Sequence, residues 1–351
     1  VIYIFIIMIN SNKKILGVIN GNKYANPPVW LMRQAGRYLP EYKKTRQLAG
    51  SFLDLCFNPK LAAEVTLQPL KRFDLDGAIL FADILLIPNS LGLKLEFKEG
   101  EGPLLETVEN YSDVQKLYEG DKIHRVLNPV YEAVSLIKSK LNNDITFIGF
   151  AGSPWTVATY MIEGKGSKDH QKTKAFMMNK PQTFDLLITK IIESTVEYLS
   201  KQIESGIEVV KLFDSWAGSL PGSLVKKYSF DPMKSIAKKI KQKHPSIPVI
   251  VFPKGVGANY IEFTKEECFD CLALDSNLPL EWAKENIQKH LPVQGNLDPS
   301  FLISGGDMMV EEILSIKKAF SRGGHIFNLG HGITPNAEIK NVELLVETLK
   351  K

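Results

Sequence analysis

Short apolar runs recur along this chain, and each one stops at a polar or glycine-rich cluster. Eight stand out, at 29–34, 77–83, 146–152, 209–215, 248–254, 271–275, 293–298 and 325–332. They are rich in Val, Ile, Leu and Phe and do not alternate cleanly, the pattern of strands buried on both faces. Helical patterns fill the intervals. Asn58-Pro59 supplies a cap and a proline at a first helical position, leading into Leu61, Ala62, Val65 and Leu70. Phe184, Leu187, Ile191, Val196, Leu199 and Ile203 form one apolar stripe at helical spacing. Further helices are predicted at 122–141, 224–243, 280–290, 310–321 and 336–350. Eight buried strands alternating with helices predict an α/β fold, a (β/α)8 TIM barrel forming one domain over 11–351. An open doubly wound sheet is the alternative. No G-x-G-x-x-G follows the first run, which weakens a dinucleotide-binding reading.

Composition narrows this picture only slightly. The chain has 351 residues, 44% hydrophobic and 23% charged, as in ordinary globular proteins. A net charge of +4 without a dense Lys/Arg tract gives no case for nucleic acid. Three cysteines, Cys56, Cys268 and Cys271, make no disulfide framework and suit a reducing compartment. The lone C-x-x-C of Cys268 and Cys271 reads as incidental, with Cys271 packing as a small hydrophobe. Residues 1–10 form an apolar tail outside the barrel, too short to span a bilayer and without the flanks of a signal peptide. Met8 is a candidate start; otherwise the tail is disordered or packed. A cytoplasmic protein without membrane association is expected.

In a barrel of this kind the active site lies at the C-terminal ends of the strands. There the sequence puts Arg33, Gln34 and Arg37; Asp83; Gly152 and Ser153; Asp214 and Ser215; Lys254; Asp275; Asn296 and Asp298; and His331. Arg33 and Arg37 flank the turn marked by Gly36 and Pro40. Arginine forks bind carboxylate or phosphate in two-point fashion, so a cluster at a strand end points to a polyanionic ligand. No His/Cys/Glu set has metal-ligand spacing, and no nucleophile elbow, Walker loop or His-Glu-x-x-His is present. A cofactor-free reaction on an anionic small molecule is what remains.

Two long segments resemble the signatures of the uroporphyrinogen decarboxylase family. They are Pro28-Val29-Trp30-Leu31-Met32-Arg33-Gln34-Ala35-Gly36-Arg37 and Gly149-Phe150-Ala151-Gly152-Ser153-Pro154-Trp155-Thr156-Val157-Ala158-Thr159-Tyr160-Met161. Phe81-Ala82-Asp83-Ile84-Leu85, Phe213-Asp214-Ser215, Gln294-Gly295-Asn296-Leu297-Asp298-Pro299 and Asn328-Leu329-Gly330-His331-Gly332 follow in the family's order. The resemblance implies a (β/α)8 barrel and a homodimer whose clefts face each other. It implies removal of carbon dioxide from the four acetate arms of uroporphyrinogen III, giving coproporphyrinogen III for haem and related tetrapyrroles, with no metal or organic cofactor. The substrate's eight carboxylates would explain the arginines. A pyrrole protonated on a ring carbon accepts the electrons of the breaking bond, so the substrate does the work a cofactor often does.

The resemblance also implies roles. Asp83 is the ring-facing acid, accepting from pyrrole N–H groups and stabilising a protonated pyrrole. Arg33 and Arg37 hold acetate and propionate carboxylates, with Arg46 a peripheral helper and Gln34 orienting the loop. The family makes Arg33 a candidate proton donor; an arginine keeps its proton to a pH of about 12, so positioning, with water or a substrate acid carrying the proton, stands beside it. Tyr160 and Ser215 match residues that hydrogen-bond substrate carboxylates. His331 binds a propionate, titrates near neutral pH, or is structural. Ile79 and Phe213 make apolar contact with the ring. Trp216 is assigned no role, and 164–169 reads as a mobile loop that closes over the substrate. The alternatives are a zinc-dependent corrinoid or thiol methyltransferase of the same superfamily, and a non-catalytic tetrapyrrole-binding protein.

Overall fold

The computed structural model describes residues 12–98 and 102–351. The tail expected at 1–10 lies outside them. The apolar runs form strands β1 (Gly77–Ile79), β4 (Thr146–Gly152), β5 (Val209–Asp214), β6 (Val249–Pro253), β7 (Cys271–Ala273), β8 (Val293–Gln294) and β9 (His325–Ile326). All pair in parallel in the order β1-β4-β5-β6-β7-β8-β9. Two further strands, β2 (Leu95–Lys98) and β3 (Gly102–Leu105), pair antiparallel in a separate small sheet that the sequence pattern did not foretell.

The gap between β9 and β1 is closed by the first apolar run, though not as the six-residue strand expected at 29–34. Val29 bridges Phe327 in parallel, and its carbonyl accepts from the Asp76 amide at 2.8 Å. Beyond it the backbone leaves the ladder. The Leu31 amide donates to Gln34 Oε1 and the Met32 amide to Asn328 Oδ1, at 3.1 and 3.0 Å. Those side chains take the bonds that a longer strand would have given its neighbours. The sheet thus curls into a barrel, and the doubly wound alternative falls away.

Burial falls into two zones. Trp30, Met32, Ile148, Val209, Ile250, Phe252, Cys271, Ala273 and Ile326 fill the barrel, and the short helix Lys14–Ile19 adds Ile15 and Val18. A Cβ added at Gly77 would come within 2.7 Å of Ile15, so the glycine makes room for this helix. The other zone lies between strands and outer helices. The helix Pro59–Arg72 starts where expected, with Asn58 accepting from the Leu61 amide. Pro181–Glu204 buries its predicted stripe, with Ile203 at the edge. The helices expected at 224–243 and 280–290 are each widened by a π turn, at Lys226–Phe230 and Lys284–Gln288. The first delivers Ser229 onto Asp214, its hydroxyl donating at 2.6 Å. Among the described residues no helix is long and apolar enough to cross a membrane.

Candidate active site

The mouth is organised by a tight turn at Arg33. The Gln34 amide donates to the Leu31 carbonyl, Gln34 Nε2 donates to the Gly77 carbonyl, and Tyr38 Oη donates to the Gln34 carbonyl. Both ends of the Gln34 amide are therefore used inside the protein, and the residue is buried. It holds the loop from inside the protein, each end of its amide making one bond to the backbone. The turn puts Arg33 in the left-handed region at φ 61°, a conformation that costs a non-glycine residue on the order of 1 kcal/mol. Its side chain runs over Gly332: a Cβ there would lie 2.5 Å from Arg33 Cδ.

Asp83 stands where the chain leaves β1. One oxygen, Oδ1, accepts from the Leu85 amide at 2.8 Å. Among the described residues Oδ2 makes no hydrogen bond, and the side chain is only partly covered. Burial raises the carboxyl above its ordinary range, opposed by the Leu85 hydrogen bond and by the charge of Arg33. Tyr160 completes this group. Burial raises its phenol, the Trp216 side chain pulls it down by hydrogen bonding, and Asp83 and Arg33 act on it with opposite signs. At neutral pH the phenol is a proton-bearing donor.

His331 is a second residue on which Arg33 acts. Burial, Lys254 and Arg33 lower its pKa to about 4 against the pull of Asp298. The expectation of a group titrating near neutrality is thereby corrected; the imidazole is neutral at pH 7. Arg37 is exposed and Arg46 half-buried. The charges of both act on Tyr42, whose hydroxyl burial pushes up to about 12. Arg46 also donates to the Gly50 carbonyl at 2.7 Å. Ser215 is half-buried, and Ile79 and Phe213 are partly exposed apolar residues resting on the barrel interior.

Other strand-end residues serve the frame. Asp214 is fully buried and accepts from Thr156 Oγ1 and Ser229 Oγ, each at 2.6 Å. Thr156 Oγ1 in turn accepts from the Trp216 amide at 3.0 Å, which fixes the turn carrying Ser215. Asp275 Oδ2 accepts from Tyr260 Oη and the Gly255 amide, tying two mouth loops together. Asn296 donates to the Asp275 carbonyl. The loop at 164–169 is fastened at its start, where Lys165 bridges Leu104 and the Leu105 amide donates to the Gly164 carbonyl.

Two residues escaped the sequence reading. Trp216 sits beside Tyr160, and its position directly after Ser215 at a strand end was the available signal. Asn328 holds the Met32 amide and so the Arg33 turn; it opens a glycine-rich motif whose histidine drew the attention. Among the described residues no group of three His, Cys, Asp or Glu side chains could hold a metal ion. Cys268 and Cys271 are buried free thiols, Cys271 inside the barrel. A groove of about 710 Å³ runs between the helices Pro59–Arg72 and Asp121–Lys138, lined by Leu67, Leu70, Leu136 and Ile145, and contains none of the predicted site residues.

Comparison with known proteins bears on this geometry. Residues 10–351 match the family described as uroporphyrinogen decarboxylase (URO-D). A uroporphyrinogen decarboxylase from Ruegeria pomeroyi is 51% identical over 341 residues, covering 97% of this chain and 99% of the relative. That of Rhodobacter capsulatus is 52% identical over 342 residues, covering 97% and 99%. Among solved structures, a methyltransferase from Methanosarcina mazei superposes with a TM-score of 0.79 at 18% identity, covering 97% of this chain and 98% of the other. That likeness is one of fold.

Proposed function

The chain belongs to the uroporphyrinogen decarboxylase family, and on that premise we propose that it removes carbon dioxide from the four acetate arms of uroporphyrinogen III, leaving methyl groups and giving coproporphyrinogen III. The observation that carries the reading is Asp83, which keeps one oxygen free of any hydrogen bond while the charge of Arg33 acts on it.

An ionised carboxylate only accepts, so the free oxygen of Asp83 suits the converging pyrrole N–H groups of a tetrapyrrole. Its negative charge favours the next event, protonation of a ring carbon. The C–C bond to one carboxylate then breaks, its electron pair enters the cationic pyrrole, and carbon dioxide leaves. A second proton converts the exocyclic methylene to a methyl group as the ring proton departs. Each arm thus consumes one proton overall and needs no external electron sink.

Arg33, Arg37 and Arg46 present guanidinium groups to the acetate and propionate arms. Tyr160 donates from its phenol to a carboxylate, and Ser215 is a second donor. His331 is neutral, so it hydrogen-bonds a propionate without adding charge. Arg33 orients the reacting carboxylate while water or a substrate acid supplies the proton. Ile79 and Phe213 give the ring an apolar seat. The reading extends to a cytoplasmic homodimer, a single barrel domain over 11–351, and catalysis without metal or organic cofactor.

The test is anaerobic incubation of metal-free protein with uroporphyrinogen III, with products separated by chromatography after oxidation. Stepwise loss of carboxylates down to four is expected. Folded protein that binds the porphyrinogen and releases no carbon dioxide overturns the reading.

A further inference from the structure

One charged side chain lies inside the barrel and takes no part in the chemistry above. Lys211 is the middle inward residue of β5, between Val209 and Phe213. It is 0% exposed, and its Nζ has no hydrogen-bond partner. Instead three rings surround it: Nζ lies 5.0 Å from the centroid of Trp30, 4.9 Å from Phe213 and 5.4 Å from Phe252. Each ring comes from a different element, so the box is a feature of the closed barrel.

A fully buried ammonium without a counter-ion is costly, and aromatic faces recover only part of the loss. The groups around it offer little else. Cys271 from β7 is the ionisable neighbour that acts on it, and burial pushes that thiol up to about 12, so it stays neutral. Gln294 from β8 points its oxygen at the Trp30 indole N–H and leaves its own Nε2 without a partner. Burial accordingly lowers the Lys211 amine to about 7. Nζ is closed off from solvent, so no ligand forms a covalent adduct with it, and Phe213, two residues nearer the C-terminal end of β5, is the wall of the box nearest the mouth. What reaches it is electric field.

Phe213 is both a wall of the lysine box and part of the apolar seat of the mouth. A ligand resting there brings its carboxylates to the far side of one aromatic ring from Nζ. In a medium of low polarisability such charges act across that distance far more strongly than in water. We propose that Lys211 is a buried counter-charge beneath the ring site: its amine takes up a proton when a polycarboxylate ring settles on Phe213, and that proton favours heavily carboxylated ligands over decarboxylated ones. This inference rests on the decarboxylase reading. Linkage makes it reciprocal: if the anion raises proton affinity, the proton raises anion affinity by the same factor. As carboxylates are lost the field on Nζ weakens, the amine releases its proton, and the product is held less tightly.

The experiment is anaerobic calorimetry at pH 7.5 in two buffers of different ionisation enthalpy, with uroporphyrinogen III titrated into protein carrying Asp83→Asn, so that the eight-carboxylate ring is bound without being turned over, and with coproporphyrinogen III for comparison. Protein with Lys211 in place is compared with Lys211→Met and Lys211→Gln. Methionine fits an apolar box of this length, and glutamine keeps polarity without a titrating group, so one variant failing to fold leaves the other. With Lys211 in place, uroporphyrinogen III should draw in roughly half a proton per site more than with either substitution, and coproporphyrinogen III less than that. In the variants KM for uroporphyrinogen III should rise several-fold with kcat nearly unchanged. Equal proton uptake with and without Lys211 overturns the proposal. Failure of the wild type to decarboxylate uroporphyrinogen III in the KM measurements overturns the decarboxylase reading instead.

Discussion

Asp83 and Asp214 both stand at strand ends, one just after β1 and one as the last residue of β5, with β4 between those strands, and the protein uses them in opposite ways. Both carboxyls are raised by burial, Asp214 to about 6. The difference lies in their partners. Both oxygens of Asp214 are taken, by Thr156 and Ser229, and the side chain is closed off from solvent. Asp83 spends one oxygen on a backbone amide and keeps the other free, with Arg33 acting on it. A carboxylate at a strand end is therefore not functional by position. Its unspent lone pairs decide, since a group already satisfied has nothing to offer a substrate.

The sharpest way to break this comparison is to make the same substitution twice. Asp83→Asn keeps the shape and the Leu85 hydrogen bond, but removes the charge that stabilises a protonated pyrrole. Turnover should fall by about a thousandfold or more while product affinity changes by less than about tenfold. A near-normal kcat would remove Asp83 from the chemistry. The second substitution, Asp214→Asn, should leave kcat within a few-fold and act on stability. A carboxyl whose folded pKa is raised binds its proton more tightly in the native state. Wild-type stability should therefore fall as pH rises from the ordinary carboxylate range through about 6. That loss, up to about 3 kcal/mol, should be absent from the difference curve of the asparagine variant. Denaturant unfolding between pH 4 and 7 measures it; identical slopes for the two proteins would mean that Asp214 does not titrate there.

The same contrast explains how much the sequence disclosed. Apolar runs and their polar ends announced the barrel, because burial on both faces leaves a pattern that one residue after another must obey. They also named Asp83, Asp214, Asp275 and Asn296 as occupants of one mouth. They could not rank them, because the donors that satisfy Asp214 come from Thr156 and Ser229, far apart in sequence and joined only by folding, one through a π turn. The strand expected at 29–34 shrank to a bridge for a similar reason: Asn328 lies nearly three hundred residues from the amide it accepts from. Lys211 was visible as a lone charge in Val209-Val210-Lys211-Leu212-Phe213. What surrounds it depends on barrel closure, which no local pattern carries.

A smaller effect sharpens the comparison at its other member, the arginine that acts on Asp83. Gly330 and Gly332 flank His331, and they differ in what a methyl group would meet. At Gly330 it would strike the Ser276 backbone, which cannot yield without moving the loop. At Gly332 it would strike Arg33 at Cγ, Cδ and Nε, the movable part of a flexible side chain. Gly330→Ala should therefore lower stability with activity falling in proportion to folded protein. Gly332→Ala should fold normally and displace Arg33 from the mouth. KM for uroporphyrinogen III should rise by roughly five- to tenfold, an energy of about 1 kcal/mol. The acid limb of kcat/KM should also move to higher pH, because Asp83 loses the positive charge that offsets its burial. If KM rises while the acid limb stays where it was, Arg33 binds the substrate without tuning Asp83, and the two residues are neighbours but not a pair.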